Sequence, residues 1–221
     1  MKKSIKNPLK LNFKTLYFNF KYLPFRQAVK LPFVISNKLY LRKTFGKVLL
    51  DCPISTGMVH IGYGEVGIFD DKKSRSVWDV AGTVIFKGKC HIGHGSKISV
   101  GEQGSLIFGE NFTITAESTI VAYSEVRFGK NCLLSWDILV MDADLHKIKD
   151  KTGSVLNAPR PISIGNDVWI GCRCLILKGA IIPDGSILGA NSTVSKKLES
   201  ERCIYVGNPA ESVREDITWE M

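Results

Sequence analysis

The sequence predicts an all-β solenoid of triangular coils, with one extruded loop and an appended N-terminal segment. Three observations predict it: an aliphatic residue every six positions, a mostly small residue four places after each, and one stretch where that beat stops. Ile164, Ile170, Ile176, Ile182, Leu188 and Val194 recur without a slip, followed by Val168, Cys174, Ala180, Ser186, Ser192 and Leu198. Upstream the beat runs through Phe86, Ile92 and Ile98, then Phe108, Ile114 and Ile120, then Phe128, Leu134 and Val140, with its phase skipping after Ile98 and Ile120.

A period of six fits neither an amphipathic helix nor a hairpin series. It fits one short strand plus one corner per unit. Three units close a triangular coil, and coils stack at the inter-strand spacing of about 4.8 Å. The aliphatic residue then points inward, and the small one, including Cys132 and Cys174, sits where the corner is tight. Gly165, Gly171 and Gly189 follow their aliphatics at corners that tolerate little bulk.

Residues 1–56 form the N-terminal segment, 57–206 the coils and 207–221 a tail. The net charge of +9 is concentrated at the start, because residues 1–50 hold twelve Lys/Arg and no Asp or Glu. Interleaved aromatics in "KTLYFNFKYLPFRQAVKLPF" would meet an anionic lipid surface, a polyanionic substrate or a partner subunit, or else cap the open end of the prism. A plain solvated edge is the alternative. No nucleic-acid reading module accompanies the charge. With no long apolar run and no leader pattern, the expectation is a cytoplasmic protein, peripheral to a membrane at most. The six cysteines lack paired CxxC spacing and read as reduced core thiols.

The run 162–210, with "VWIG", "ILKGAIIPDGSILGANSTV" and "GNPA", resembles the signature half of the hexapeptide-repeat acyltransferases. It is most similar to bacterial O-acetyltransferases of capsular and other surface polysaccharides. The resemblance covers the chain from about Gly57. It implies a left-handed parallel β-helix, an exception to the usual right-handed crossover. It also implies a homotrimer, with acetyl-CoA as co-substrate between adjacent prisms and no metal requirement.

The beat breaks at 142–161, where the positions due an aliphatic hold His146, Thr152 and Ala158. A loop extruded from a corner and leaning on a neighbouring subunit is the expected structure. Acyl transfer to a sugar hydroxyl needs a base that works near neutrality, and histidine suits it. His146, in "DADLH", matches the loop histidine that acts as general base in similar acetyltransferases. The backbone N–H of Cys172, after "WIG", matches the oxyanion donor. Asp142 or Asp144 would orient the imidazole or bind acceptor hydroxyls, and Ser135 and Trp136 would line the acceptor side.

On the donor side the resemblance places Trp169, Gly171 and Cys172 near the thioester, and Gly189 and Ala190 lower in the groove. Lys178, Lys196, Lys197, Asn208 and Pro209 fall toward the nucleotide end, where cations answer phosphates. Three other activities share this solenoid: transfer to an amine of an amino-sugar or antibiotic, a γ-carbonic-anhydrase-type zinc lyase, and a purely structural scaffold. The lyase would need three converging histidines, and "HIGH" at 91–94 supplies two.

Overall fold

Stiff β-branched residues at every sixth position stack into ladders, and the chain winds around them as a left-handed parallel β-helix with three faces. The computed structural model describes residues 12–220. Expectations for residues 1–11 and for Met221 lie outside the described residues. The first two coils are β1 (Phe33–Ile35), β2 (Tyr40–Lys43), β3 (Lys47–Leu50), then β4 (Val59–Tyr63), β5 (Val77–Val80), β6 (Thr83–Phe86). The next two are β7 (Cys90–Gly93), β8 (Lys97–Val100), β9 (Ser105–Phe108), then β10 (Phe112–Ala116), β11 (Thr119–Ala122), β12 (Glu125–Phe128). Below them lie β13 (Leu133–Trp136), β14 (Leu139–Met141), β15 (Ile162–Ile164), then β16 (Trp169–Ile170), β17 (Leu175–Leu177), β18 (Ile181–Ile182). The stack closes with β19 (Ile187–Leu188), β20 (Thr193–Val194), β21 (Ile204–Val206) and β22 (Glu211–Arg214).

Up to β20 every third strand joins one sheet, and β21 and β22 then add to the first, which makes face A of nine strands from β1 to β22, face B of seven from β2 to β20, and face C of six from β3 to β18. All the neighbouring strands pair in parallel except β22, which returns antiparallel along β21 and covers that end. The aliphatic positions are inside: Ile164, Ile170, Ile176, Ile182, Leu188 and Val194 are no more than 2% exposed. On face C, Phe86, Phe108 and Phe128 stack ring on ring at 5.2 and 5.8 Å. Cys132 and Cys174 are buried, and all six cysteines are free.

The solenoid starts earlier than the expected boundary at 57. β1, β2 and β3 pair in parallel with β4, β5 and β6, so the first coil begins at Phe33. The beat is hidden there because inward residues Ile35, Leu41 and Val48 are spaced unevenly, and an insert at 64–76 separates Ile61 from Trp78. Upstream lie α1 (Phe13–Tyr22) and the short α2 (Phe25–Ala28).

α1 caps the open end. A bare sheet edge invites pairing with another chain. Here Asn19 bonds both the N–H and the C=O of Phe33, at 3.1 and 2.9 Å, and the Thr15 hydroxyl accepts the Ile35 N–H at 3.0 Å. Phe18 reaches into the prism against Phe33 and Trp78. The Trp78 indole N–H donates to the Tyr22 hydroxyl at 3.0 Å, and burial pushes that phenol up to about 12. No helix among the described residues is long and apolar enough to cross a membrane.

Candidate functional site

The 142–161 loop leaves face B after β14 and returns to face C at β15, so it projects from the B/C edge. Asp142 fixes its base. The carboxylate is fully buried and accepts the backbone N–H groups of Tyr123 at 2.7 Å and Ser124 at 2.8 Å, in the coil above. Burial raises its pKa, and the backbone donors oppose that rise. The expectation that Asp142 binds acceptor or orients the imidazole is therefore corrected: its oxygens are spent inside the corner.

Asp144 is held as well. Its carboxylate pairs with the Lys178 ammonium and accepts an Asn157 amide N–H at 2.8 Å, and these bonds lower its pKa, the Lys178 bond most. Lys178 also donates to the Asn157 carbonyl at 3.2 Å. Lys178, expected toward the nucleotide end, stands at the corner directly below Asp142, within reach of the loop. Arg160 closes the neck, with its N–H on the Asp142 carbonyl at 3.0 Å and its guanidinium on the Lys178 carbonyl at 3.2 Å.

Beyond the neck the loop is a small hairpin, bridged at Lys149 and Val155 and turned by Asp150, which accepts from Thr152 and Ser154. Asn157 spans it, accepting the Ile148 N–H at 2.7 Å and donating to the His146 carbonyl at 2.8 Å. Leu145, at φ 61°, kinks the chain just before His146. The His146 backbone is thus fixed, while its exposed imidazole hydrogen-bonds to nothing among the described residues. Leu145, Ile148, Val155 and Leu156 are all exposed on the same loop.

The A/B edge carries the other group. Trp169 is partly exposed at the end of face A; its indole N–H donates to the Ser135 hydroxyl at 3.3 Å, and its ring lies 6.1 Å from that of Trp219. Ser135 and Trp136 are half-buried beside it. Gly171 is required here by close approach, since a Cβ would stand 2.7 Å from the Leu188 carbonyl oxygen and 2.8 Å from the Ala190 nitrogen. The Cys172 carbonyl accepts the Asn191 N–H at 2.9 Å, whereas its own N–H has no acceptor among the described residues.

Further along, Gly189 packs its α-carbon against Val206, and Ala190, Lys196, Asn208 and Pro209 are exposed. Lys197 pairs with Glu199 at 3.0 Å. Because β17 crosses face B between Cys172 and Lys178, the Cys172 edge and the loop edge of one chain are a full face apart, about 20 Å for six extended residues.

The other three histidines are not exposed. His60 and His91 lie half-buried on face A with ring centroids 6.2 Å apart, and burial lowers the pKa of both. His94 is 3% exposed and bonds the Ser74 hydroxyl at 2.9 Å beneath the 64–76 insert. Among the described residues, no group of three or more His, Cys, Asp or Glu side chains is arranged to hold a metal ion. Sequence reasoning missed Asn157 and Arg160, whose amide and guanidinium give no periodic signal.

Residues 161–196 match the family described as bacterial transferase hexapeptide (six repeats). The chain is 32% identical to a galactoside O-acetyltransferase of Escherichia coli strain K12 over 57% of each chain. It is 33% identical to a polysialic acid O-acetyltransferase of Neisseria meningitidis, over 47% of this chain and 48% of that one. The chain spans about half the length of the curated relatives it matches. The fold is that of the polysialic-acid-specific acetyltransferase NeuO, with a TM-score of 0.58 over 84% of this chain and 90% of that one at 18% identity.

Proposed function

We propose that this chain, a hexapeptide-repeat protein of the bacterial transferase type, is an acetyl-CoA-dependent O-acetyltransferase acting on a sugar hydroxyl of a polysaccharide or its precursor. The observation that carries the reading is His146: an exposed imidazole without a partner, on a backbone pinned by Asn157, on a loop tied down by Asp142, Asp144 and Arg160. A general base needs this combination of free nitrogen and fixed frame.

In the reaction the acceptor hydroxyl gives its proton to His146 as its oxygen attacks the thioester carbonyl. The tetrahedral oxyanion takes the unused Cys172 N–H. Collapse breaks the carbon–sulfur bond, and the imidazolium returns its proton to the departing CoA thiolate. No acyl-enzyme forms.

Two edges a face apart argue for a shared site. In a cyclic homotrimer the B/C edge of one subunit meets the A/B edge of the next, so that His146 of one faces Cys172 of another. The exposed Leu145, Ile148, Val155 and Leu156 supply apolar surface for that contact. Trp169, Gly171, Gly189 and Ala190 would line the pantetheine groove, with Lys196, Lys197, Asn208 and Pro209 toward the nucleotide. Ser135 and Trp136 face the acceptor. A carbohydrate acceptor is favoured by the named substrates of two relatives, a galactoside and polysialic acid.

The test is thiol release from acetyl-CoA against a panel of neutral and acidic glycans, with the product checked for ester or amide. A glycan-dependent signal that yields an ester and disappears in His146→Ala supports the reading. An amide product favours amine transfer, and undiminished turnover in the variant removes His146 from the chemistry.

A further inference from the structure

α1 presents two opposite sides. Its inner side, Thr15, Phe18, Asn19 and Tyr22, closes the prism. Phe13, Leu16, Tyr17 and Phe20, at the i, i+3, i+4 and i+7 spacing of a helical stripe, point the other way and are 81, 37, 38 and 48% exposed. Phe25 and Val29 extend the patch at 72 and 49%, and the Phe25 ring lies 6.0 Å from that of Phe20.

The segment that carries this patch has charge of one sign. Residues 12–50 hold eight Lys/Arg and no Asp or Glu. Lys14 is used internally, on the carbonyls of Asn37 and Leu39, and Lys38 and Lys43 reach Asp71 and Asp79. Lys21, Arg26, Lys30, Arg42 and Lys47 are exposed and pair with no carboxylate among the described residues. An apolar stripe rimmed by unpaired cations is complementary to a surface that offers both acyl chains and negative headgroups.

We propose that the N-terminal cap is a docking face for an anionic lipid bilayer, with Phe13, Phe20 and Phe25 entering the headgroup region and Lys21, Arg26 and Lys30 binding lipid phosphates. α1 has ten residues, so it lies on the bilayer and does not span it. Since α1 closes the prism end, the coils stand away from the membrane. The coil that bears the 142–161 loop is the fifth, which puts it at least about 20 Å from the lipid at one inter-strand spacing per coil. The docking rests on the cap alone and stands without the transferase reading.

The experiment is co-sedimentation of the full chain with vesicles of phosphatidylcholine alone and of phosphatidylcholine mixed with phosphatidylglycerol. The wild type is expected to pellet with the mixed vesicles and to be released by salt. Phe13→Ser with Phe25→Ser should lower partition about tenfold or more, given the apolar area withdrawn. Lys21→Glu, Arg26→Glu and Lys30→Glu should each lower it about fivefold or more. All five positions are exposed, so melting temperatures should hold. Absence of wild-type binding to mixed vesicles, or equal pelleting of the variants, overturns the proposal. So does a drop in particle mass by light scattering in the Phe variants without vesicles, which would mean that a second copy covers the stripe.

Discussion

The side-chain amide of Asn157 donates to the carbonyl oxygen of His146 at 2.8 Å, across eleven residues of the extruded loop. The same amide reaches Asp144, which Lys178 holds against the prism edge. The imidazole therefore stands on a chain of three polar contacts that ends in the rigid coils. Asn157→Ala and Lys178→Met should each lower kcat roughly ten- to hundredfold through misplacement of the base, with KM for acetyl-CoA little changed. Steady-state kinetics on both variants checks this.

His146→Ala removes the base itself. General-base magnitudes predict a loss of about a hundredfold or more in kcat. Binding of CoA, followed by calorimetry, should stay near the wild-type value because the proposed groove contacts come from Trp169, Gly171, Gly189 and Ala190 and not from the imidazole.

His60 and His91 give a pH signature unrelated to catalysis. Burial lowers both pKa values, and the neighbouring His60 adds to the effect on His91. With the folded pKa below the unfolded value of 6.5, the unfolded chain binds protons first as the pH falls. Their contribution to stability is therefore complete above 6.5 and is lost progressively below it. The melting temperature should fall over that window, and His60→Gln with His91→Gln should flatten the slope.

Asn19 closes both backbone groups of Phe33 at the edge of face A. Asn19→Ala leaves a buried donor and acceptor unmet, at a cost of about 1–3 kcal/mol. Urea titration should show a lower midpoint. Inside the stack, Ile176→Asp buries an unpaired charge in a fully enclosed ladder and should abolish soluble folded protein.

The regular coils were legible because one physical demand, an inward apolar residue at each face, recurs every six residues in runs between Phe86 and Val194, interrupted only by two short skips and the loop. The first coil was not, since the spacing of Ile35, Leu41 and Val48 is uneven and the 64–76 insert breaks the count. The loop announced itself by the loss of that beat. The duties of its polar residues were hidden, because Asp142 and Asp144 look alike in sequence. One is sealed under the backbone of Tyr123 and Ser124, and the other is bound to Lys178. Only the three-dimensional corner tells them apart.

The central claim is that a loop of one subunit serves the groove of another. Co-expressed subunits carrying His146→Ala and Ala190→Trp, bearing different tags and purified through both, test it most directly. Each variant alone should be inactive in thiol release. The mixed trimers should regain activity, because one interface in each joins an intact His146 to an intact Ala190 edge. Mixed trimers as inactive as their parents would contradict the account.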